Sequence, residues 1–253
     1  MFVARRAPKD DKDDDRPPVL EGGMADVVVH HLENSRSHRV LWLLEELGVP
    51  YSIEMHRRDP KTMRAGEGLR RIHPLGKAPL VVLDGEVLAE SGAILEALLD
   101  EFDPEHSLHP KKGSATYRTY RYFMHYAEGS LMLPLLVKLL TGALRGKQIP
   151  ALARPITGGV GKALDKQFTN PELRRHLTFL EAELRERPFL CGDDFTAADI
   201  QLGFPLEGAR VRAGLTRERY PALDAYIEKF RARDGYRAAE ERGGPLQLGS
   251  FSR

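Results

Sequence analysis

The chain has 253 residues, of which 42% are hydrophobic, so it can bury the core of one large domain or of two smaller ones. Its 38 basic and 37 acidic residues leave a net charge of +1, which indicates neither a nucleic-acid partner nor an anionic membrane. The single cysteine, Cys191, excludes an internal disulfide and fits a reducing, cytoplasmic location. No apolar run reaches the roughly 18 residues that a membrane-spanning helix needs.

Residues 1–23 differ from the rest of the chain in composition. Charged residues are dense from Lys9 to Arg16, and the pairs Pro17-Pro18 and Gly22-Gly23 follow. The segment has no apolar periodicity and no apolar stretch typical of a signal peptide. We expect a disordered N-terminal extension, with the first folded element beginning just after Met24.

Residues 24–104 alternate between strand and helix patterns. Val27–His31 reads as a strand, and apolar residues then recur at helical spacing until Gly48, a typical helix stop. A second strand is predicted at Tyr51–Met55, and a short helix in the polar stretch 57–71. Two further strands follow, Leu80–Leu83 and Val87–Ala89, joined by the hairpin signal Asp84-Gly85.

A helix is predicted directly after this hairpin. Ser91 is a favoured N-cap residue, and Ile94, Leu95 and Leu98 begin the apolar stripe. An extended backbone at Ala78-Pro79 and the helix N-terminus would therefore lie close together. Such a pair can bind a short peptide by backbone pairing and hold its charged end group.

Residues 111–245 carry only helical patterns, so an all-helical domain is expected there after a linker. Ala115–Leu140 reads as one long helix that Pro134 should kink or divide. Asn170-Pro171 looks like a helix start, with asparagine as the N-cap. Thr196 and Asp199 form a variant of the capping box at the start of another helix. Pro221–Arg233 is a further helix.

Three of these motifs together resemble a known family. Lys77-Ala78-Pro79, the hairpin and Glu90-Ser91-Gly92-Ala93-Ile94 are similar to the glutathione site of the cytosolic-type glutathione transferases. The resemblance covers about residues 26–236 and implies a thioredoxin-like N-terminal domain followed by an all-helical domain. The segment from Tyr126 to Met132 and the loop Asn34–Ser37 look closest to a subgroup from fungi and bacteria.

The resemblance also implies roles for individual residues. Ala78 would pair through its backbone with the cysteinyl unit of glutathione, and Pro79 would follow a cis peptide bond. Glu90 and Ser91 would hold the γ-glutamyl end, and Lys77 would contact the glycyl carboxylate. Glutathione would be the co-substrate, and the protein would form a homodimer, to which the tyrosine-rich helix from Ala115 offers apolar surface.

Ser35 is the predicted catalytic residue of a serine-type enzyme. A free thiol has a pKa of about 8.5, so the protein must stabilise the thiolate. A hydroxyl and a helix N-terminus at the end of the first strand could do this. Alignment with serine-type enzymes selects Ser35, while a small shift would select Asn34 or Ser37, and all of these residues could instead cap the helix.

Other residues have a structural interpretation beside or in place of a functional one. Tyr117, Tyr122 and Tyr126 lie on the helix that lines the second-substrate site in the family, although tyrosines at such spacing also suit a core. Cys191 lacks a partner cysteine and reads as a small packed residue. His30 and His31 are adjacent on a strand, so they point to opposite faces, and we expect no metal.

The resemblance predicts a glutathione transferase that activates the glutathione thiol for attack on small electrophiles. Within that reading, glutathione-dependent reduction of peroxides or disulfides is an alternative activity. A hypothesis from a different functional class is a non-catalytic binding or regulatory module, because transferase-like domains also serve in such roles.

Overall fold

The computed structural model describes residues 25–59, 62 and 64–248. The predicted N-terminal extension, residues 1–23, lies outside the described part. The chain divides into two compact units. Among the described residues, the first unit contains those up to Pro104 together with Asp234–Leu246, and the second contains Glu105–Arg233 together with Gln247 and Leu248.

The first unit is built on a four-stranded sheet in the order β2-β1-β3-β4. β1 pairs in parallel with β2 and antiparallel with β3, and β3 forms the predicted hairpin with β4. This is the thioredoxin-like arrangement expected from the sequence. Its elements are β1 (Val27–Leu32), α1 (His38–Leu47), β2 (Ser52–His56), α2 (Glu67–Ile72), β3 (Leu80–Leu83), β4 (Glu86–Ala89) and α3 (Ser91–Phe102).

The apolar pattern of α1 explains why this helix covers the sheet. Val40, Leu43 and Leu44 are fully buried. The helix ends where predicted, because Gly48 adopts φ +65, a left-handed conformation that costs glycine little.

The second unit is helical throughout its described residues. The predicted long helix from Ala115 is divided into α4 and α5 by a π-helical stretch, Ala127–Leu131. Pro134 is the third residue of α5, so the predicted interruption near this proline is confirmed. The helices are α4 (Tyr117–Tyr126), α5 (Met132–Ala143), α6 (Arg154–Leu164), α7 (Asn170–Glu186), α8 (Ala197–Arg212) and α9 (Pro221–Arg231).

The prediction that Asn170 caps the start of a helix is wrong. A π-helical stretch, Asp165–Thr169, joins α6 to α7, so Asn170 lies inside a continuous helical segment. The amide oxygen of Asn170 accepts a hydrogen bond from Lys138 Nζ at 2.8 Å. Pro171 is tolerated because the wider π-helical turn just before it already interrupts the regular backbone bonding.

One further helix, α10 (Asp234–Gly243), belongs to the first unit although the sequence analysis assigned residues 111–245 to the helical domain. Aromatic packing against α1 accounts for this assignment. The Tyr236 ring is 4.9 Å from the His38 ring and meets Trp42 edge-on at 5.0 Å between centroids. These contacts join residues that lie near opposite ends of the sequence, so local periodicity could not reveal them.

The predicted capping box at α8 is present, and Asp199 extends it into a buried network. Asp199 Oδ2 accepts from the Thr196 backbone N–H at 2.8 Å. Its Oδ1 accepts from the Leu190 N–H at 3.0 Å and from the Tyr226 hydroxyl at 2.7 Å. Burial raises the pKa of the Asp199 carboxyl, although each of these donors favours the ionised form.

We predict that Asp199→Ala destabilises the protein by about 3 kcal/mol or more, because it leaves several buried donors without an acceptor. The measurement is the free energy of unfolding in denaturant. Asp194→Ala is the matched control, since Asp194 is an exposed aspartate just before the same helix. A surface change of this kind should stay within about 0.5 kcal/mol. Equal effects of the two substitutions would contradict the role assigned to Asp199.

Candidate functional site

The strand register brings three chain segments to one edge of the sheet. His30 of β1 is paired with Leu80 at the start of β3, and Leu80 is paired with Ala89 at the end of β4. The loop after β1, the residues before β3 and the residues after β4 therefore leave the sheet at the same edge. These segments are 33–37, 77–79 and 90–91, which contain Ser35 and the five residues predicted to bind glutathione.

The segment before β3 has the predicted form. The Ala78-Pro79 peptide bond is cis, as expected. Ala78 packs against the buried cluster of Leu32, Leu69 and Leu80, while Lys77 is exposed. This segment therefore places an exposed cationic side chain directly before a residue that packs on the core.

Glu90 and Ser91 lie between β4 and α3, but Ser91 is not the N-cap as predicted. The helix begins at Ser91 itself, and Glu90 occupies the capping position with φ 72 and ψ 121. The Ser91 hydroxyl instead accepts a hydrogen bond from Arg39 Nη1 of α1 at 3.1 Å. A positive φ at an exposed glutamate is a strained conformation of the kind that proteins keep at binding sites.

Ser35 lies in the loop that connects β1 to α1, and its side chain is 6% exposed. Its Oγ is 2.7 Å from Ser37 Oγ and accepts the Ser37 backbone N–H at 3.2 Å. Ser37, the capping residue of α1, makes no side-chain cap bond, whereas Ser35 Oγ accepts a backbone N–H at the start of that helix. The thiol-contact and helix-start interpretations of Ser35 therefore both stay predictions.

Ser37 is fully buried and connects Ser35 to a histidine. Its Oγ is 2.9 Å from His31 Nδ1, and His31 Nε2 is 3.0 Å from the carbonyl oxygen of Gly243 in α10. Burial lowers the pKa of His31, partly opposed by the bond to Gly243. His30 lies on the other face of β1 against His56, which confirms the predicted opposition of the two histidines.

Arg58 is a site residue that the sequence analysis missed. Its Nη2 donates to the carbonyl oxygen of Asn34 at 3.1 Å and its Nε to that of Glu33 at 3.3 Å. Asn34 has φ 52, so the guanidinium holds a loop that is bent into a left-handed conformation. A polar stretch with several arginines gave no signal to single out this one.

The three predicted second-substrate tyrosines lie on α4 of the second unit, and they differ in exposure. Tyr122 is 50% exposed and stacks on Tyr126 at 5.6 Å between ring centroids. Tyr126 is buried, and its hydroxyl is 2.7 Å from His176 Nδ1. Tyr117 is half-buried. Tyr122 therefore offers the largest free aromatic surface of the three.

Cys191 is buried, as predicted, and burial raises the pKa of its thiol to about 11. A thiol of this kind stays protonated at neutral pH and is a poor nucleophile. Within the described ranges, no group of three or more His, Cys, Asp or Glu side chains is placed to hold a metal ion.

Comparison with known proteins agrees with this geometry. Residues 35–101 match the model of the glutathione S-transferase N-terminal domain, and residues 163–229 match that of the C-terminal domain. Glutathione S-transferase 1 of Saccharomyces cerevisiae is 31% identical over 87% of this chain and 96% of its own. Glutathione S-transferase 3 of Schizosaccharomyces pombe is 34% identical over 89% of this chain and 91% of its own.

Solved structures give the same result. A glutathione S-transferase from Actinobacillus pleuropneumoniae has a TM-score of 0.73 and 30% identity, covering 88% of this chain and 95% of that one. A sphingomonad glutathione S-transferase complexed with glutathione has a TM-score of 0.66 and 25% identity, over 86% of this chain and 98% of that one. The chain belongs to the glutathione S-transferase family and is an enzyme of that class. Its relatives in yeasts and bacteria fit the subgroup that the sequence resembles.

Among the described helices, none is long and apolar enough to cross a bilayer.

We predict that Arg58→Ala loosens the loop after β1, because two carbonyl oxygens lose their charged donor. Backbone hydrogen exchange at residues 35–37 should become faster by about tenfold, the effect of losing about 1.4 kcal/mol of local stability. Arg57→Ala, the adjacent and exposed arginine, is the control and should leave these rates unchanged. Unchanged exchange in Arg58→Ala would show that the loop is held by other contacts.

Proposed function

We propose that the enzyme conjugates glutathione to small electrophiles, with the Ser35 hydroxyl donating a hydrogen bond to the glutathione thiolate. The observation that carries this proposal is the meeting of three chain segments at one sheet edge, with Ser35 in one of them and the predicted peptide-binding residues in the other two.

Thiol activation at this edge has two physical sources. A hydrogen bond to a charged group contributes about 1.5–3 kcal/mol, which corresponds to a decrease of about one to two pKa units. The N-terminus of α1 follows Ser37 directly and adds roughly 0.3–1 kcal/mol of favourable interaction with an anion. Together they would bring the thiol pKa from about 8.5 to near neutral.

The other segments would fix the peptide. The Ala78 backbone would pair with the cysteinyl unit, and the exposed Lys77 would meet the glycyl carboxylate. Glu90 and the N-terminus of α3 at Ser91 would hold the γ-glutamyl end, whose amino and carboxylate groups carry opposite charges. Glu90 has a positive φ, a backbone conformation that residues other than glycine rarely adopt.

For the second substrate we propose an apolar or aromatic electrophile near α4. Tyr122 supports this role through its exposed ring, while Tyr117 and Tyr126 would contribute through packing. Conjugation is favoured over redox chemistry of the protein itself, because the single cysteine has a raised pKa.

We also propose a homodimer. In the second unit, large apolar side chains are exposed on α5 and α6, among them Leu136 at 48%, Leu140 at 58% and Ile156 at 73%. Exposed apolar surface of this kind is typical of an interface with another protein chain.

We predict that Ser35→Ala raises the pKa of the bound glutathione thiol by about one to two units, since the anion loses its hydrogen bond. Conjugation near pH 7 should slow by roughly tenfold or more and recover in part as the pH rises. Glutathione affinity should persist, because Ala78, Glu90 and Ser91 hold the peptide. The measurement is the ultraviolet absorbance of the thiolate, titrated against pH.

Ser52→Ala, an exposed serine of β2, is the control and should titrate like the wild type. If Ser35→Ala also titrates like the wild type, Ser35 has no part in thiol activation, and Asn34→Ala and Ser37→Ala are the next variants. Retention on a glutathione column together with no activity toward any electrophile would instead indicate a non-catalytic binding module.

For the homodimer, light scattering of the wild type should report twice the chain mass of 28.4 kDa. Replacing Leu136 and Leu140 by glutamate should give a monomer, because buried unpaired charge is costly at an interface. Val211→Glu, at a residue of α8 that is 52% exposed, is the control and should remain dimeric. A monomeric wild type at micromolar concentration would disprove the proposal.

A further inference from the structure

A continuous row of hydrogen bonds leads from Ser35 into the protein interior. It passes from Ser35 Oγ to Ser37 Oγ at 2.7 Å, then to His31 Nδ1 at 2.9 Å. From the other side of the imidazole, His31 Nε2 reaches the Gly243 carbonyl oxygen at 3.0 Å. All three side chains are nearly inaccessible, with exposures of 6% for Ser35, 0% for Ser37 and 2% for His31.

The chemistry of the last partner determines which nitrogen of His31 carries the proton. A carbonyl oxygen can only accept, so the bond to Gly243 requires a proton on Nε2. In the neutral imidazole Nδ1 is then an acceptor, and the Ser37 hydroxyl can donate to it. The Leu32 carbonyl is the other acceptor within reach of Ser37 Oγ, at 3.1 Å. When the Ser37 hydroxyl donates its hydrogen bond to His31 Nδ1, it has no proton left for Ser35. The short bond between the two serines then requires Ser35 to donate to Ser37.

The direction of these hydrogen bonds determines how Ser35 can contact a bound thiol. The Ser35 proton points toward Ser37, so Ser35 Oγ presents a lone pair to the substrate side and can accept the thiol S–H. A hydrogen bond from Ser35 to a thiolate requires the opposite direction of the two bonds that join Ser35, Ser37 and His31, while the bond from His31 to Gly243 keeps its direction. The reversal takes place when one proton moves along the row.

We propose that His31 accepts the proton of the glutathione thiol through Ser35 and Ser37. This inference rests on the proposed function, in which Ser35 contacts the thiol. The S–H bond breaks and its proton passes to Ser35 Oγ, the Ser35 proton passes to Ser37 Oγ, and the Ser37 proton passes to His31 Nδ1. The products are a thiolate that receives a hydrogen bond from Ser35 and an imidazolium that donates from both nitrogens. No proton leaves the protein.

The surroundings of His31 suit a group that is neutral at rest and charged only together with the thiolate. Burial and His56 disfavour the imidazolium and lower the pKa of His31, and burial together with His31 in turn lowers the pKa of His38 on α1. A lowered pKa favours the neutral imidazole near pH 7. Glu33 and the Gly243 carbonyl favour the charged form. A thiolate at the other end of the row adds a negative charge that further favours it.

Gly243 keeps the end of the row in place. A side chain at this position would meet Leu41 Cδ1 at 2.4 Å and His31 Nε2 at 3.1 Å. The carbonyl can approach the imidazole because this residue is glycine. The bond also fixes the ring orientation that directs Nδ1 to Ser37.

The test counts protons released when glutathione binds. The full-length enzyme is mixed with glutathione near pH 7 in weak buffer with a pH indicator, and thiolate is measured in the same sample by its ultraviolet absorbance. For the wild type we expect about zero protons released to solvent per thiolate formed, since the proton stays on His31. The imidazole nitrogen resonances of His31 should show protonation in the same titration.

His31→Asn removes the proton acceptor but keeps a polar group near Ser37. In this variant about one proton should be released per thiolate, and the thiolate should form at higher pH. His30→Asn is the matched control, since His30 is the adjacent residue on the opposite face of β1 and should behave like the wild type. Ser37→Ala breaks the row in the middle and should behave like His31→Asn, while Ser37→Thr, which keeps the hydroxyl, should restore proton retention.

The outcomes separate the two proposals. A wild type that forms thiolate and releases about one proton for each would overturn the role of His31 while leaving Ser35 in place. A wild type that binds no glutathione, or forms no thiolate, would overturn the proposed function and this inference together. Because the wild-type measurement decides both cases, a variant that fails to fold does not affect the conclusion.

Discussion

The register between β1 and β3 is the constraint on which the candidate glutathione site depends. Pairing of Val29 with Val81 and of His30 with Leu80 sets which residues leave the sheet together. Val27, Val29 and His31 share the buried face of β1, so His31 points inward beside the apolar residues. A slip of one residue would expose the valines and turn His31 away from α10, so core packing and the site are fixed by one arrangement.

Local patterns in the sequence were enough to predict most elements of the first unit. The Asp84-Gly85 turn, the alternation in the strands and the glycine at the end of α1 each depend on neighbouring residues only, and each appears in the structure. Predictions failed where a distant group competed for a polar side chain. Ser91 has the composition of an N-cap, but Arg39, 52 positions away, takes its hydroxyl.

The candidate site likewise contains residues that local sequence patterns reveal and residues that only distant contacts explain. Ser35, Ala78 and Glu90 were found because a motif and its spacing are visible in the sequence. The guanidinium of Arg58 and the carbonyl of Gly243 were not, because their roles depend on contacts across 24 and 212 residues. A backbone carbonyl carries no residue-type signal at all, so the glycine at position 243 could only be understood once its neighbours were known.

Because the row from Ser35 to Gly243 is buried, its hydrogen-bond donors and acceptors must be matched. Buried polar groups are costly unless every donor and acceptor is matched, and a serine pair alone has more acceptor capacity than donors. The backbone N–H groups of Ser37 and Leu32 donate to the spare lone pairs of Ser35 Oγ and Ser37 Oγ. His31 then fixes the direction of the hydroxyl bonds, because Nδ1 of the neutral imidazole can only accept. The two bonds that join Ser35, Ser37 and His31 are also matched in the reverse direction once the imidazole holds a second proton, and the bond to Gly243 is the same in both states. A network with two matched states can move a proton without breaking its packing, whereas a simple helix cap has only one.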